Sequence, residues 1–312
     1  MTQSDPSAVS RCATAAVHQR LLATAPGYAQ ARDRSENAAW EVRRAAAAVR
    51  PGVTRIPVVV HVVSATAEQD ISAEQVRSQI DSLTADYRAR NADVGQVPEP
   101  FAPLVGDARI EFELASTDPD GNPTEGITRT STTVAAFADD DAVKAAATGG
   151  ADPWPTDRYL NLWVCPLVEG LFGYAQMPGG PAATDGVVIA YIAFGTLGTA
   201  TPPFHLGRVA THEVGHWLNL LHIWGDDGDG CNGTDFVDDT PNQAGFNLGT
   251  PTFPVITCDN GPNGDMFMNY LDFTDDVAMF MFTAGQAARM QACLDTDRPG
   301  IGTTVPDEVP TQ

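Results

Sequence analysis

The stretch Thr211-His-Glu-Val-Gly-His-Trp-Leu-Asn-Leu-Leu-His222 holds the residues best suited to chemistry. On a helix, His212 and His216 lie one turn apart and project from the same face. Two imidazoles at that spacing can meet one zinc ion at ~2.0–2.1 Å. Glu213 sits beside His212, close enough to serve the metal yet free to take a proton. Asn219 tolerates the left-handed conformation that stops a helix, and a sharp turn there would swing His222 back as a third ligand. Three protein ligands leave one position open, the condition for a catalytic rather than a structural zinc. A zinc ion so held lowers the pKa of its water toward ~7 and polarises a carbonyl, while Glu213 moves the proton as general base and then acid. No covalent acyl-enzyme is needed. The bland alternative is a helix with satisfied or surface histidines, but three histidines and a carboxylate on one element need a reason. His18, His61 and His205 match no ligand spacing and read as structural.

The elements that must position these groups follow an α/β pattern. Strands are expected at 55–64, 108–116, 159–166 and 186–192. Helices are expected at 72–91, at 206–220 and at 283–294, with a short one near 135–147. Ser72 with Gln75, and Thr283 with Gln286, have capping-box spacing. Between 221 and about 266 the chain is dense in Gly, Asp, Asn and Pro and reads as loop. The first fifty residues differ, being rich in Ala and Arg with helical stretches at 17–23 and 30–49, and Pro51–Gly52 punctuates them. This divides the chain into a helical segment (1–52), a main domain (53–295) and a mobile acidic tail (296–312).

The formal charge of −22 with a single lysine, Lys144, argues against nucleic acid. No apolar run approaches the ~20 residues that cross a bilayer; the longest, Ile56 to Val63, reads as a buried strand. Residues 1–22 show no apolar signal core, which leaves three readings open: a leader missing here, another export route, or retention in the cell. The five cysteines Cys12, Cys165, Cys231, Cys258 and Cys293 cannot all pair with one another.

The helix with its third histidine resembles the metzincins, and further stretches narrow the likeness to the pappalysin family of zinc metalloproteases. These are Ile56-Pro-Val-Val-Val-His-Val-Val63, Gly173-Tyr-Ala-Gln-Met-Pro-Gly-Gly180, Asp235-Phe-Val-Asp-Asp-Thr-Pro-Asn-Gln243 and Asp265-Met-Phe-Met-Asn-Tyr-Leu-Asp-Phe-Thr-Asp-Asp276. The resemblance runs from about residue 53 to 294. It implies a metzincin-type catalytic domain: a mixed sheet with backing and active-site helices (53–222) over an irregular lower subdomain (223–295), preceded by a helical prosegment. It implies a secreted endopeptidase acting on proteins or peptides; with the charge and hydropathy above, the expectation is a monomer with no membrane or nucleic-acid partner. The substrate would lie extended along an edge strand at Gly173, Tyr174, Ala175 and Gln176.

Under the family's Met-turn, with its Tyr two residues later, this chain places Leu271 and Phe273. Leu can still form an apolar floor, but Phe cannot donate a hydrogen bond to an oxyanion. A register shifted to Met268 and Tyr270 would restore the pattern at the expense of Asn269 and Asp272–Asp276. Ser10-Arg-Cys-Ala-Thr14 resembles a prosegment in which a cysteine fills the open zinc position, although Ala13 stands where the family has Gly. Cys12 is thereby a candidate latency switch, the plain alternative being an ordinary free thiol. By the same resemblance Cys231 and Cys258 pair as a disulfide across the lower half, and a calcium ion binds at Asp235 and Thr240. Asp226, Asp227 and Asp229 do not match an EF-hand and read as a solvated acidic turn. The Phe273 departure leaves a competing reading, a catalytically weak or silent zinc-binding protein of the same fold; a zinc amidase is a third.

Overall fold

The structure, a computed structural model, describes residues 11–44, 52–226, 228 and 230–307. Ser10, the end of the expected 30–49 helix, Pro51, Asp227, Asp229 and the last five residues lie outside that description. The elements run α1 (Thr14–Thr24), α2 (Tyr28–Arg44), β1 (Val53–Ser64), α3 (Ala73–Tyr87), β2 (Ile110–Leu114), β3 (Ile127–Ser131), β4 (Leu160–Cys165), β5 (Gly173–Ala175) and β6 (Val187–Ala190). They continue as α4 (Arg208–Trp217), β7 (Leu248–Gly249), β8 (Phe273–Thr274), α5 (Ala284–Thr296) and β9 (Thr303–Val305).

Strand β1 is the centre of the sheet, whose order is β2-β1-β4-β6-β5. Its run of valines is buried on both faces, as a strand covered on two sides requires. β2 and β3 pair in parallel with successive halves of β1, and β4 lies on its other side. Pro57 has no N–H to give, and it falls in the gap between the pairs that end at Arg55 and those that begin at Val58. β5 runs antiparallel to β6 and forms the edge nearest the active-site helix.

Helix α3 backs the sheet and sets the start of α4. Ser72 caps it by accepting from the Gln75 amide. Gln79 donates to the Gly207 carbonyl, and the Tyr87 hydroxyl donates to that of Thr211. At the N-terminus of α4, Arg208 pairs with Asp86 at 2.5 Å and with Asp93 at 2.9 Å. Helix α5 begins with the full Thr283–Gln286 capping box. Helix α2 packs against α5, and Val17, Leu21 and Tyr28 of the N-terminal helical segment join Leu171, Tyr174 and Val188 in a second core. Among the described residues no helix is long and apolar enough to cross a membrane.

Three expectations change. The short helix at 135–147 is replaced by two 3-10 turns, Ala142–Lys144 and Ala146–Thr148, which bury Lys144 against Asp141. β3 had no strand signal, because Ile-Thr-Arg-Thr-Ser is a largely polar edge. The tail is not mobile through Asp307. β9 pairs antiparallel with the start of β1, and the buried Arg298 forms a two-pronged ion pair with Asp185. The acidic, Pro-containing composition hid the β-branched run Thr303–Val305.

Candidate metal centre and the segment that covers it

Helix α4 carries His212 and His216 on one face and ends at Trp217. Asn219 takes φ +74°, and the turn it makes brings His222 back beneath the helix. The three Nε2 atoms then stand 3.0, 3.1 and 3.2 Å apart. Tetrahedral bonds of ~2.0–2.1 Å to one ion would separate them by ~3.3 Å. His212 Nδ1 donates to the Tyr270 carbonyl at 2.7 Å and His216 Nδ1 to the Leu220 carbonyl at 2.8 Å. A carbonyl can only accept, so each ring carries its proton on Nδ1 and turns a bare Nε2 lone pair inward. Burial pushes His212 down to about 3 and His216 well below the ordinary value, so both rings stay neutral. Three converging lone pairs with no proton between them are a donor set for a cation, and all-nitrogen donors fit zinc.

Glu213 is buried beside them, and burial raises its carboxyl to about 7 against the opposing Cys12 and Thr14 side chains. A Cβ on Gly173 would stand 2.9 Å from Glu213 Cγ, so only glycine lets β5 pass this close. Of the expected edge-strand residues, Gly173, Tyr174 and Ala175 form β5 and the buried Gln176 follows it.

Below the histidines, Leu271 packs against α4, where its Cδ2 would lie 3.1 Å from a Cβ on Gly215. The Phe273 ring lies 5.6 Å from His212 and 4.9 Å from His222. Tyr270 turns its hydroxyl to Arg208, in the buried cluster with Asp86. Leu271 and Phe273 thus lie on the histidine side, while Tyr270 faces away toward Arg208.

Residues Arg11 to Thr14 run along β5 in the same direction as that strand. The Phe172 and Gly173 amides donate to the Arg11 carbonyl, and the Ala13 amide donates to that of Gly173. This brings Cys12 to the histidines: one ligand atom from each of Cys12, His212, His216 and His222 lies within 4.8 Å of the other three. Thr14, buried, donates to Glu213 Oε2 at 2.8 Å and accepts from the Ala175 amide at 2.8 Å. Arg11 reaches into a pocket walled by Phe172, Phe204, Val209 and Met279. There it donates to the Phe273 carbonyl at 2.6 Å, 3.5 Å from Asp275 and 4.8 Å from the Phe204 ring. The sequence pointed to Cys12 but not to Arg11 or Thr14, whose contacts span some 160 to 260 residues of chain.

Elsewhere, Cys231 and Cys258 form the expected disulfide. Asp235 and Thr240 meet, with the Thr240 hydroxyl donating to Asp235 at 2.8 Å and the Val237 amide capping the other oxygen. That arrangement is a capped buried turn, and burial lifts the Asp235 carboxyl to about 7. Asp226, read as solvated, instead accepts from His222 Nδ1 at 2.6 Å.

Comparison with known proteins converges with this geometry. The model of peptidase family M43, described as pregnancy-associated plasma protein-A, matches residues 146–295. An extracellular metalloprotease of Arthroderma otae is 30% identical over 259 residues, 80% of this chain and 80% of that protein. The chain belongs to the pappalysin family of metzincin metalloproteases. Another relative, an extracellular metalloprotease of Pyricularia oryzae, is 40% identical over 150 residues, 46% of this chain. The match spans about half of that relative's length, 51%. Among solved structures, a promirolysin mutant of Tannerella forsythia superposes with a TM-score of 0.85 at 47% identity, covering 93% of this chain and 95% of its own. A metal at the site follows from the family and from the histidine cluster.

Proposed function

We propose that this chain is a secreted zinc endopeptidase made as a latent zymogen, with residues 1–52 as prosegment and 53–295 as catalytic domain. The convergence of three Nδ1-protonated imidazoles on one point carries the reading. His212, His216 and His222 would hold the zinc, which supplies a Lewis acid that polarises a peptide carbonyl and makes water acidic. Glu213, buried beside the histidines, takes the proton of the attacking water and returns it to the departing amine. β5 orders the substrate by main-chain hydrogen bonds, as it now orders Arg11–Thr14.

Latency rests on the same contacts. Cys12 would supply the fourth ligand where water must enter, and Thr14 holds the base. The pocket that receives Arg11 favours a basic side chain next to the scissile bond, since an aromatic ring, a carbonyl and the Asp275 carboxylate already receive one. The names of the relatives support export, and the family's protease chemistry supports protein or peptide substrates. Calcium at Asp235 and Thr240 is carried by the family resemblance alone; both Asp235 oxygens here accept hydrogen bonds, from the Thr240 hydroxyl and the Val237 amide. We take the active species to be a monomer.

The activated protein should cleave casein, lose that activity to a chelator and regain it with zinc, and lose it in Glu213→Ala. The second reading, a weak or silent zinc protein, has Phe273 in its favour. Zinc binding without cleavage of casein or of a mixed peptide library would establish it.

A further inference from the structure

His212 and His216 ride on α4, and each gives its Nδ1 proton to a main-chain carbonyl that no substitution removes. His222 differs. It lies past the end of the helix, where no helical hydrogen bond fixes its backbone, and its Nδ1 proton goes to a side chain, Asp226 Oδ1, at 2.6 Å. Its ring is stacked on Trp224, with centroids 4.3 Å apart and planes inclined by 7°, and it meets the edge of Phe273. Of the three imidazoles it alone is set by the side chains around its loop. A ring stacked on one face can still rotate about its own axis; the carboxylate removes that freedom by fixing Nδ1 and so aiming Nε2. A full negative charge also makes the opposite nitrogen a stronger donor than a carbonyl dipole can. Asp226 stands at the surface, its side chain 27% exposed, with Oδ1 held on the His222 ring at 2.6 Å.

We propose that Asp226 is a positioning residue that orients His222 and tightens its hold on the metal. The inference rests on the zinc reading above and adds a residue to it.

The test uses the full-length chain with Cys12 intact and measures zinc affinity by competition with a chromophoric chelator. Asp226→Ala is expected to bind zinc about 10- to 100-fold more weakly. Asp226→Asn, which keeps an acceptor but not the charge, should fall between, and Asp226→Glu should recover part of the loss. Thermal unfolding of the metal-stripped variants should match the metal-stripped wild type. Wild-type affinity in Asp226→Ala would overturn the inference while leaving the zinc site standing. A metal-stripped Asp226→Ala that unfolds well below the metal-stripped wild type would assign the residue a structural role and overturn it as well. A wild-type chain that takes up no zinc would instead bring down the zinc reading, and this inference with it.

Discussion

The Phe273 ring borders both His212 and His222, so it occupies ground from which a hydroxyl could reach the reacting carbonyl. The loss of one oxyanion donor costs on the order of 10²–10³ in rate where nothing replaces it. Phe273→Tyr should therefore raise kcat of the activated enzyme, by up to about 10²-fold, with little change in KM. An unchanged kcat would mean that no donor is wanted at this position. At this scale the convergence of the three histidines beside Glu213 was legible in the sequence, because helical spacing and one turn-forming Asn suffice to bring them together. The groups that hold them were not. Two partners are main-chain carbonyls, which leave no mark in a sequence, and Asp226 lay in an acid-rich run whose commoner fate is solvent.

Strand β1 shows what was legible in the elements and what was not. Its apolar run announced a buried strand, yet His61 in the middle of that run is also buried. The Asn161 carbonyl oxygen accepts from Nε2 at 2.9 Å, which leaves Nδ1 to accept from the Thr128 hydroxyl at 2.7 Å. Burial lowers the His61 pKa from 6.5 to about 4, opposed by the bond to Asn161. The unfolded chain thus binds a proton on His61 more readily than the folded one. The stabilisation is fully present above pH about 6.5 and is lost as pH falls toward about 4, a change of about 3 kcal/mol. Denaturant unfolding at stepped pH should show a shallower loss across that window in His61→Gln than in wild type; parallel curves would remove His61 from the acid sensitivity. The elements that escaped notice, β3 and β9, are short, polar and paired only with the two ends of β1. Their existence depends on the neighbour and not on their own periodicity.

At the scale of the whole molecule, the cleft beside the three histidines is filled by the chain's own N-terminal segment. Arg11 takes the pocket, Cys12 meets the histidines, and Thr14 ties Glu213, while α1 and α2 pack on the catalytic domain and keep that short segment seated. Cys12→Ala should release proteolysis in the uncleaved chain, though less completely than removal of residues 1–52, since Arg11 and Thr14 would still bind. A full-length wild-type chain already as active as the truncated one would end the latency account. The α/β pattern and the N-terminal helical segment were legible in composition and helical pattern, whereas the metzincin fold and the prosegment reading rested on the family resemblance; the grip of that segment on the cleft depends on contacts between distant parts of the chain. The most direct test of the whole account is the metal content of the purified full-length chain by elemental analysis. One zinc per chain is expected, falling to well below one in His212→Ala with His216 and His222 untouched. A chain that carries no zinc, and takes up none when it is supplied, would contradict the proposal that these three imidazoles form a catalytic zinc centre.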